Sequence, residues 1–276
     1  MLGSLVIIFP TAHEGGELVL RHKGREWKIG ANALIASRPS PSLAYVAFYS
    51  DIDHEILKVT SGRRITITYN LYMVNMAPDP GASTLTPIPL HASDFQTTLR
   101  NLIKDPAFLP EGGTLGFGLS HLYPVSTHVE LQGIAHFLKG EDARVYEACR
   151  ELQLKPLLKI IYDDGHGFSY RKNYGIMVDK FVVNPSYDCE HESYQSTLLK
   201  ETRGVAVNIT EGSPINDSYW VSDEDYKGEY IDWVSPFDQR TKLRDVGLDY
   251  GNEVSIEVVY CSPCIIVRID SACDRL

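Results

Sequence analysis

The stretch YSDIDHEILKVTSGRRITITYNL, residues 49–71, sets His54 ten positions ahead of Arg64, which opens a strand-like run. An imidazole can ligate a transition metal, and a guanidinium's planar fork can hold a carboxylate through two parallel hydrogen bonds. If the residues after Gly62 form a strand, Arg64, Thr66, Thr68 and Asn70 share one face. Ile65, Ile67, Tyr69 and Leu71 share the other, which is suited to packing against neighbours. The polar face is suited to a wet or ligand-filled interior. A non-haem iron site of the facial-triad type needs two imidazoles, one carboxylate and open positions for oxygen and a keto acid. The far carboxylate of such a keto acid needs a fixed cation, and Arg64 with Thr68 beside it has the chemistry for that task. Arg63 is a rival one position earlier, but alternation sets it on the apolar face. Taken as a bare pattern, a histidine and an arginine on a hairpin also suit ordinary surface decoration.

These residues need strands to position them. Residues 2–9, 17–22, 43–49 and 64–72 are short, rich in Val, Ile, Tyr and Thr, and separated by Gly, Pro and Ser clusters. HEGG at 13–16 reads as the turn of an antiparallel hairpin joining the first two, and Gly24 as a second turn. The first quarter of the chain is thus predicted to be a small all-β unit of sandwich or barrel type. Residues 93–104 have helical spacing, with Ser93 as N-cap and apolar residues at 95, 99, 102 and 103. Residues 140–154 form the clearest helix, opened by acidic residues and carrying Val145, Cys149 and Leu152 on one face. Further strands are predicted at 115–119, 157–162, 175–183, 204–210 and 254–269. The fold class expected is mixed α/β and strand-rich.

Bulk properties narrow the function classes. The chain has 276 residues, 43% of them hydrophobic and 22% charged, as in ordinary globular proteins. A net charge of −10 argues against a nucleic-acid backbone as partner. Five scattered cysteines do not read as a disulfide framework, so a reducing, intracellular setting is expected, cytoplasmic or nuclear. The opening MLGSLVIIFP is too short to span a membrane, lacks a basic leader region, and reads as a strand.

FYSDIDHEILKVTSGRRITITY resembles the prolyl 4-hydroxylase-like branch of the Fe(II)- and 2-oxoglutarate-dependent dioxygenases. SLVIIFPTAHEGGELVLRH, residues 4–22, is similar to the segment that precedes it in that family, so the likeness covers roughly residues 4–72. The resemblance implies a double-stranded β-helix, a squashed jelly roll with the metal inside one mouth. It implies His54 as the distal iron ligand, Arg64 as the residue that binds the 2-oxoglutarate carboxylate, and Thr68 as a second contact. Fe(II), 2-oxoglutarate and the accessory reductant ascorbate are the cofactors it brings, with an unknown protein or small molecule as substrate. Residues 1–75 would be a partial β-helix core, 76–92 a linker rich in Pro, Ser and Thr, and 93–276 an α+β C-terminal region.

The family's other two ligands form a His-x-Asp or His-x-Glu pair upstream of the strand that begins here at Leu2. The one such pair in this chain, His128-Val129-Glu130, lies downstream, among helix-forming residues, and reads as chance. Three explanations stand: a product lacking its N-terminal part, a pseudoenzyme that lost the metal, or ligands from a partner chain. The first is favoured by a chain that opens inside a core strand, and the polypeptide as written is expected to be inactive. The alternative function is a non-catalytic interaction module, suggested by the acidic and aromatic stretch at 217–233. Cys261-Ser262-Pro263-Cys264 stands alone and reads as core cysteines rather than zinc ligands. Gly112, Gly113, Gly116 and Gly118 lack the Lys-Ser/Thr of a phosphate loop and read as a turn feeding a strand. His166 and His191 are isolated and expected at the surface.

Overall fold

A computed structural model describes residues 2–30, 42–72, 94–123, 130–162, 174–182, 198–199, 202–209, 228–236, 241–248 and 254–275, with only the backbone described at 241–248 and 254–260. The chain divides into two compact units, Met1–Leu85 and Thr86–Leu276. The linker at 76–92, Ser93, His128, Val129, His166 and His191 lie outside the described residues.

The first unit is built of eight described strands: β1 (Gly3–Ile8), β2 (His13–Gly15), β3 (Leu18–His22), β4 (Arg25–Ile29), β5 (Ala44–Tyr49), β6 (Asp53–Ile56), β7 (Val59–Gly62) and β8 (Thr66–Leu71). They pair as two three-stranded antiparallel sheets, ordered β5-β1-β8 and β4-β3-β6, with a two-stranded ladder of β2 and β7. Central β1 alternates along its length, burying Ser4, Val6 and Ile8 on one side. Directly opposed residues share a face, so Val46 and Phe48 lie on that same side and pack with Val6 and Ile8.

Two expectations are corrected here. Residues 2–9 and 17–22 do not form a hairpin, because His13–Gly15 is itself a strand taken up by β7. Gly15 and Gly16, both at φ +72°, then carry the chain into the second sheet, where β3 pairs β4 around the Gly24 turn instead. The apolar face of β8 is not packed: Ile65, Ile67 and Tyr69 are 50%, 42% and 51% exposed. Thr66 and Thr68 are the residues that oppose buried Ile8 and Val6, so the polar face is the one turned toward the sheet's buried side.

The second unit folds around one sheet of seven strands. β9 (Gly113–Gly118), β10 (Leu157–Tyr162), β11 (Tyr174–Val178), β12 (Val205–Asn208), β13 (Asp232–Ser235) and β15 (Val254–Ile269) run in the order β12-β11-β10-β15-β9-β13, and β14 (Thr241–Leu248) pairs β15. Helix α1 (Asp94–Lys104) buries Leu99, whereas Leu102, expected on the buried face, is 40% exposed. Helix α2 (Gly140–Glu151) buries Cys149, with Val145 and Leu152 packed on the core as its spacing predicts. Asp142 in the first turn of α2 is 4% exposed, and its carboxylate accepts the N–H groups of Ser120 and His121 and the hydroxyl of Tyr123, at 2.7, 3.0 and 2.8 Å. That hydroxyl in turn accepts the Lys139 N–H at 2.9 Å, and Lys139 Nζ donates to Leu122 O at 2.8 Å. The loop after β9 is thereby fastened to the start of α2.

The acidic and aromatic stretch at 217–233 is not wholly a solvated loop: its end enters β13, where Trp233 Nε1 donates to Asn208 O at 2.8 Å. Residues 217–227 lie outside the described ones. Cys261 and Cys264 are both buried within β15, in two different core clusters. Burial pushes the thiols of Cys149 and Cys261 up to about 12, and that of Cys264 upward as well. Thiolate is the reactive form, so iodoacetamide applied to the folded chain should alkylate exposed Cys273 and leave Cys149, Cys261 and Cys264 untouched. Peptide mapping reads this directly, and labelling of Cys261 at the rate of Cys273 would contradict the packing described. No helix among the described residues is long and apolar enough to cross a membrane.

Candidate functional site

Arg64 lies just ahead of β8, where the ladder of β1 is continued by the Phe9 N–H donating to Ile65 O at 3.1 Å. Gly62, at φ +75°, makes the approach possible: a Cβ there would stand 2.2 Å from Ala12 O. Beside it, Gly16 leaves room for the arginine stem, since a Cβ on Gly16 would meet Arg64 Cδ at 2.9 Å and Val59 Cγ2 at 2.8 Å. The stem of Arg64 therefore lies over a glycine that both bends the chain and clears its path.

The head of this side chain is in an unusual state. Arg64 Nε and Nη2 are buried and have no hydrogen-bond partner. Desolvation lowers the pKa of the guanidinium from its ordinary value, without any neighbour offsetting it. Nε–H and one Nη2–H project from the same edge of the guanidinium plane, the edge that grips a carboxylate side-on. That whole edge is sealed from water and unused. Arg63, by contrast, is exposed and engaged through its backbone, its N–H donating to Ala12 O at 3.2 Å. Thr68 follows Arg64 on β8, opposite Val6, and is exposed.

His54 sits on β6, opposite Leu20 of β3. Its Nδ1 donates to Ile52 O at 3.1 Å, which leaves Nε2 as the nitrogen with a lone pair. The ring rests on Phe48 with centroids 4.9 Å apart, so the contact ties β6 of one sheet to β5 of the other. Strand β6 is further held by Arg21, which pairs with Glu55 at 3.0 Å and Glu26 at 2.7 Å. Hydrogen bonding to Arg21 keeps both carboxylates below their ordinary pKa. A carboxylate depressed in the folded state adds stability above its unfolded pKa and loses it as pH falls through the folded value. This clamp on β6 accordingly holds through neutral and mildly acid pH and is lost only as pH falls below the ordinary carboxylate range.

An iron site needs more than this. Among the described residues no three His, Cys, Asp or Glu side chains come together to hold a metal ion. His54 is a ligand-ready imidazole without companions, and one imidazole does not hold iron. Two residues that the sequence pattern passes over belong to the Arg64 region: Gly16, noticed only as part of a turn, and Thr11, whose hydroxyl is also buried and unpartnered. No family of proteins, no curated protein and no solved structure matches this chain.

Proposed function

We propose that the first unit is the co-substrate-binding part of an Fe(II)- and 2-oxoglutarate-dependent dioxygenase of the prolyl 4-hydroxylase-like branch, acting on an unknown protein or small molecule. Arg64 grips the far carboxylate of 2-oxoglutarate, and Thr68 supports it from the same strand face. The observation that carries this reading is the unpaired, buried side-on edge of Arg64. Two buried N–H donors without an acceptor are costly, and a carboxylate is the planar two-oxygen partner that edge fits. Strand order supports the jelly-roll part of the reading. Strands β1, β5 and β8 fall in one sheet and β3, β4 and β6 in the other, so the chain crosses repeatedly between two antiparallel sheets.

In this reading His54 is one metal ligand, through Nε2. The described residues bring it no second or third donor, so the chemistry here is confined to holding the keto acid. An intracellular setting, cytoplasmic or nuclear, goes with the reading. The test is made on the endogenous protein, purified with its own N terminus and supplied with Fe(II), ascorbate and C1-labelled 2-oxoglutarate. Labelled CO2 should be released, and Arg64→Ala should abolish the release at matched folded protein. No release from the natural protein would retire the catalytic reading.

A second reading, a non-catalytic interaction module on the same scaffold, is favoured by the apolar outer face of the β5-β1-β8 sheet, where Tyr45 is 74% exposed beside Ile65, Ile67 and Tyr69. It gains if a protein partner binds equally well to the His54→Ala and Arg64→Ala variants.

A further inference from the structure

We infer that the outer face of the β5-β1-β8 sheet docks a second copy of this chain, giving a two-fold dimer. The inference is independent of the dioxygenase reading. It rests on the interaction-module reading for the face itself, and names the occupant which that reading leaves open.

Register sets the face. Leu5 of β1 stands between Ala47 of β5 and Tyr69 of β8, and Ile7 stands between Tyr45 and Ile67. Directly opposed residues share a side, so these six form two rows across one surface. Their neighbours along β1, Ser4, Val6 and Ile8, are buried on the opposite side. Tyr45, Ile67 and Tyr69 are 74%, 42% and 51% exposed. Leu43 and Ile65, at 58% and 50%, stand two residues ahead of Tyr45 and Ile67 and lengthen the apolar surface at that end. No charged side chain stands among these residues.

Single exposed apolar residues are ordinary, whereas a contiguous apolar surface marks a contact site. With roughly 150–250 Å² for a tyrosine side chain and less for leucine or isoleucine, these exposures leave on the order of 600 Å² open. Two such faces together would bury on the order of 1,200 Å², the size at which specific interfaces begin. Charge then selects the partner. Each chain carries a net charge of −10, so two copies repel in most approaches and meet at least cost through a face free of charge. A basic partner, by contrast, would find no carboxylate here to pair with. Shape agrees as well: two pleated faces stack about 10 Å apart with their strands crossing at about 30°, and a two-fold axis sets the same residues on both sides.

The test is sedimentation equilibrium of the full chain over a micromolar concentration series. A dimer should form with a dissociation constant in the micromolar range, as suits an interface of this small size. It should tighten as sodium chloride is added, because salt screens the repulsion between two acidic chains. Tyr45→Glu and Ile67→Glu each set a charge within the contact and should weaken it about 10²-fold or more. Lys28→Glu, at an exposed lysine of the other sheet, should leave the dimer as it is, which separates a blocked face from added negative charge. The face variants should melt with the dilute, monomeric parent, which separates a blocked face from a damaged fold. A monomer at every concentration would overturn the inference, as would a dimer indifferent to both face variants or one that salt dissociates. A monomer that binds a foreign protein through Tyr45 sinks this inference and leaves the interaction-module reading standing. If the dimer depends on Tyr45 while the endogenous protein releases CO2, the dimer stands and the non-catalytic reading falls.

Discussion

Replacing Asp142 with alanine should cost the second unit about 3–5 kcal/mol, because three donors, two of them buried, lose their common acceptor at once. The Asp142 carboxylate, only 4% exposed, receives Ser120 N–H, His121 N–H and the Tyr123 hydroxyl. The loss spreads one step further, since the Tyr123 hydroxyl is also the acceptor for Lys139 N–H. An alanine would remove the three bonds from Asp142 that join the loop after β9 to the first turn of α2, leaving those that Lys139 makes to Tyr123 and Leu122. Hydrogen exchange reads the effect locally. Amides in 113–123 and 140–151 should exchange some two to three orders of magnitude faster, the factor that corresponds to about 3–4 kcal/mol. Asp142→Asn should fall between, because it keeps one acceptor oxygen but turns an amide donor toward groups that are donors themselves. Unchanged exchange in Asp142→Ala would mean the carboxylate is peripheral to the join.

How much of this could be read from the sequence depends on whether a feature is local. The strands at 157–162 and 254–269 are rich in Leu, Ile and Val, and the structure places them with those ends. The Gly24 turn is equally local, and it links β3 to β4 as its sequence suggests. Pairing is not local. That β1 lies between β5 and β8, rather than beside β3, follows from contacts made tens of residues away. Strand β6 shows no alternation, all four of its residues being exposed, and so gave no pattern to find. Strand β13 hides for another reason: it is four residues long and begins at the end of an acidic, aromatic stretch that reads as loop.

The candidate site divides in the same way. Arg64 could be picked out from alternation along residues 64–71, a period-two property of one segment. Its isolation from any anion could not, because a missing partner is defined only once the surroundings exist. Thr11 carries no pattern at all, lying in Pro-Thr-Ala between two strands. Only the ladder that sets residues 9–12 against 63–65 brings its stretch beside that of Arg64. Gly16 is visible as one of a glycine pair, but the room it leaves for the Arg64 stem is a property of the fold.

Arg64→Leu should move stability and binding in opposite directions, which a merely structural arginine would not do. In the ligand-free chain the buried, unpaired edge of Arg64 is a cost, and leucine keeps the apolar inner part of the side chain with no polar group to desolvate. The first unit should therefore gain on the order of 1 kcal/mol, discounted because Arg64 is only partly buried. With 2-oxoglutarate present the order reverses. Removing the charged partner of a buried carboxylate typically costs 2–5 kcal/mol, so affinity should fall by about 10²-fold or more. Thermal unfolding with and without saturating 2-oxoglutarate exposes both effects, since a ligand raises stability by RT ln(1 + [L]/Kd). The parent chain should melt lower than the variant alone and higher with ligand. Arg64→Lys is the informative intermediate: it keeps the charge, loses the fork, and should recover only part of the binding. A variant that melts lower than the parent without ligand would show that Arg64 is satisfied within the protein, and its role as a carboxylate grip would then have no physical basis.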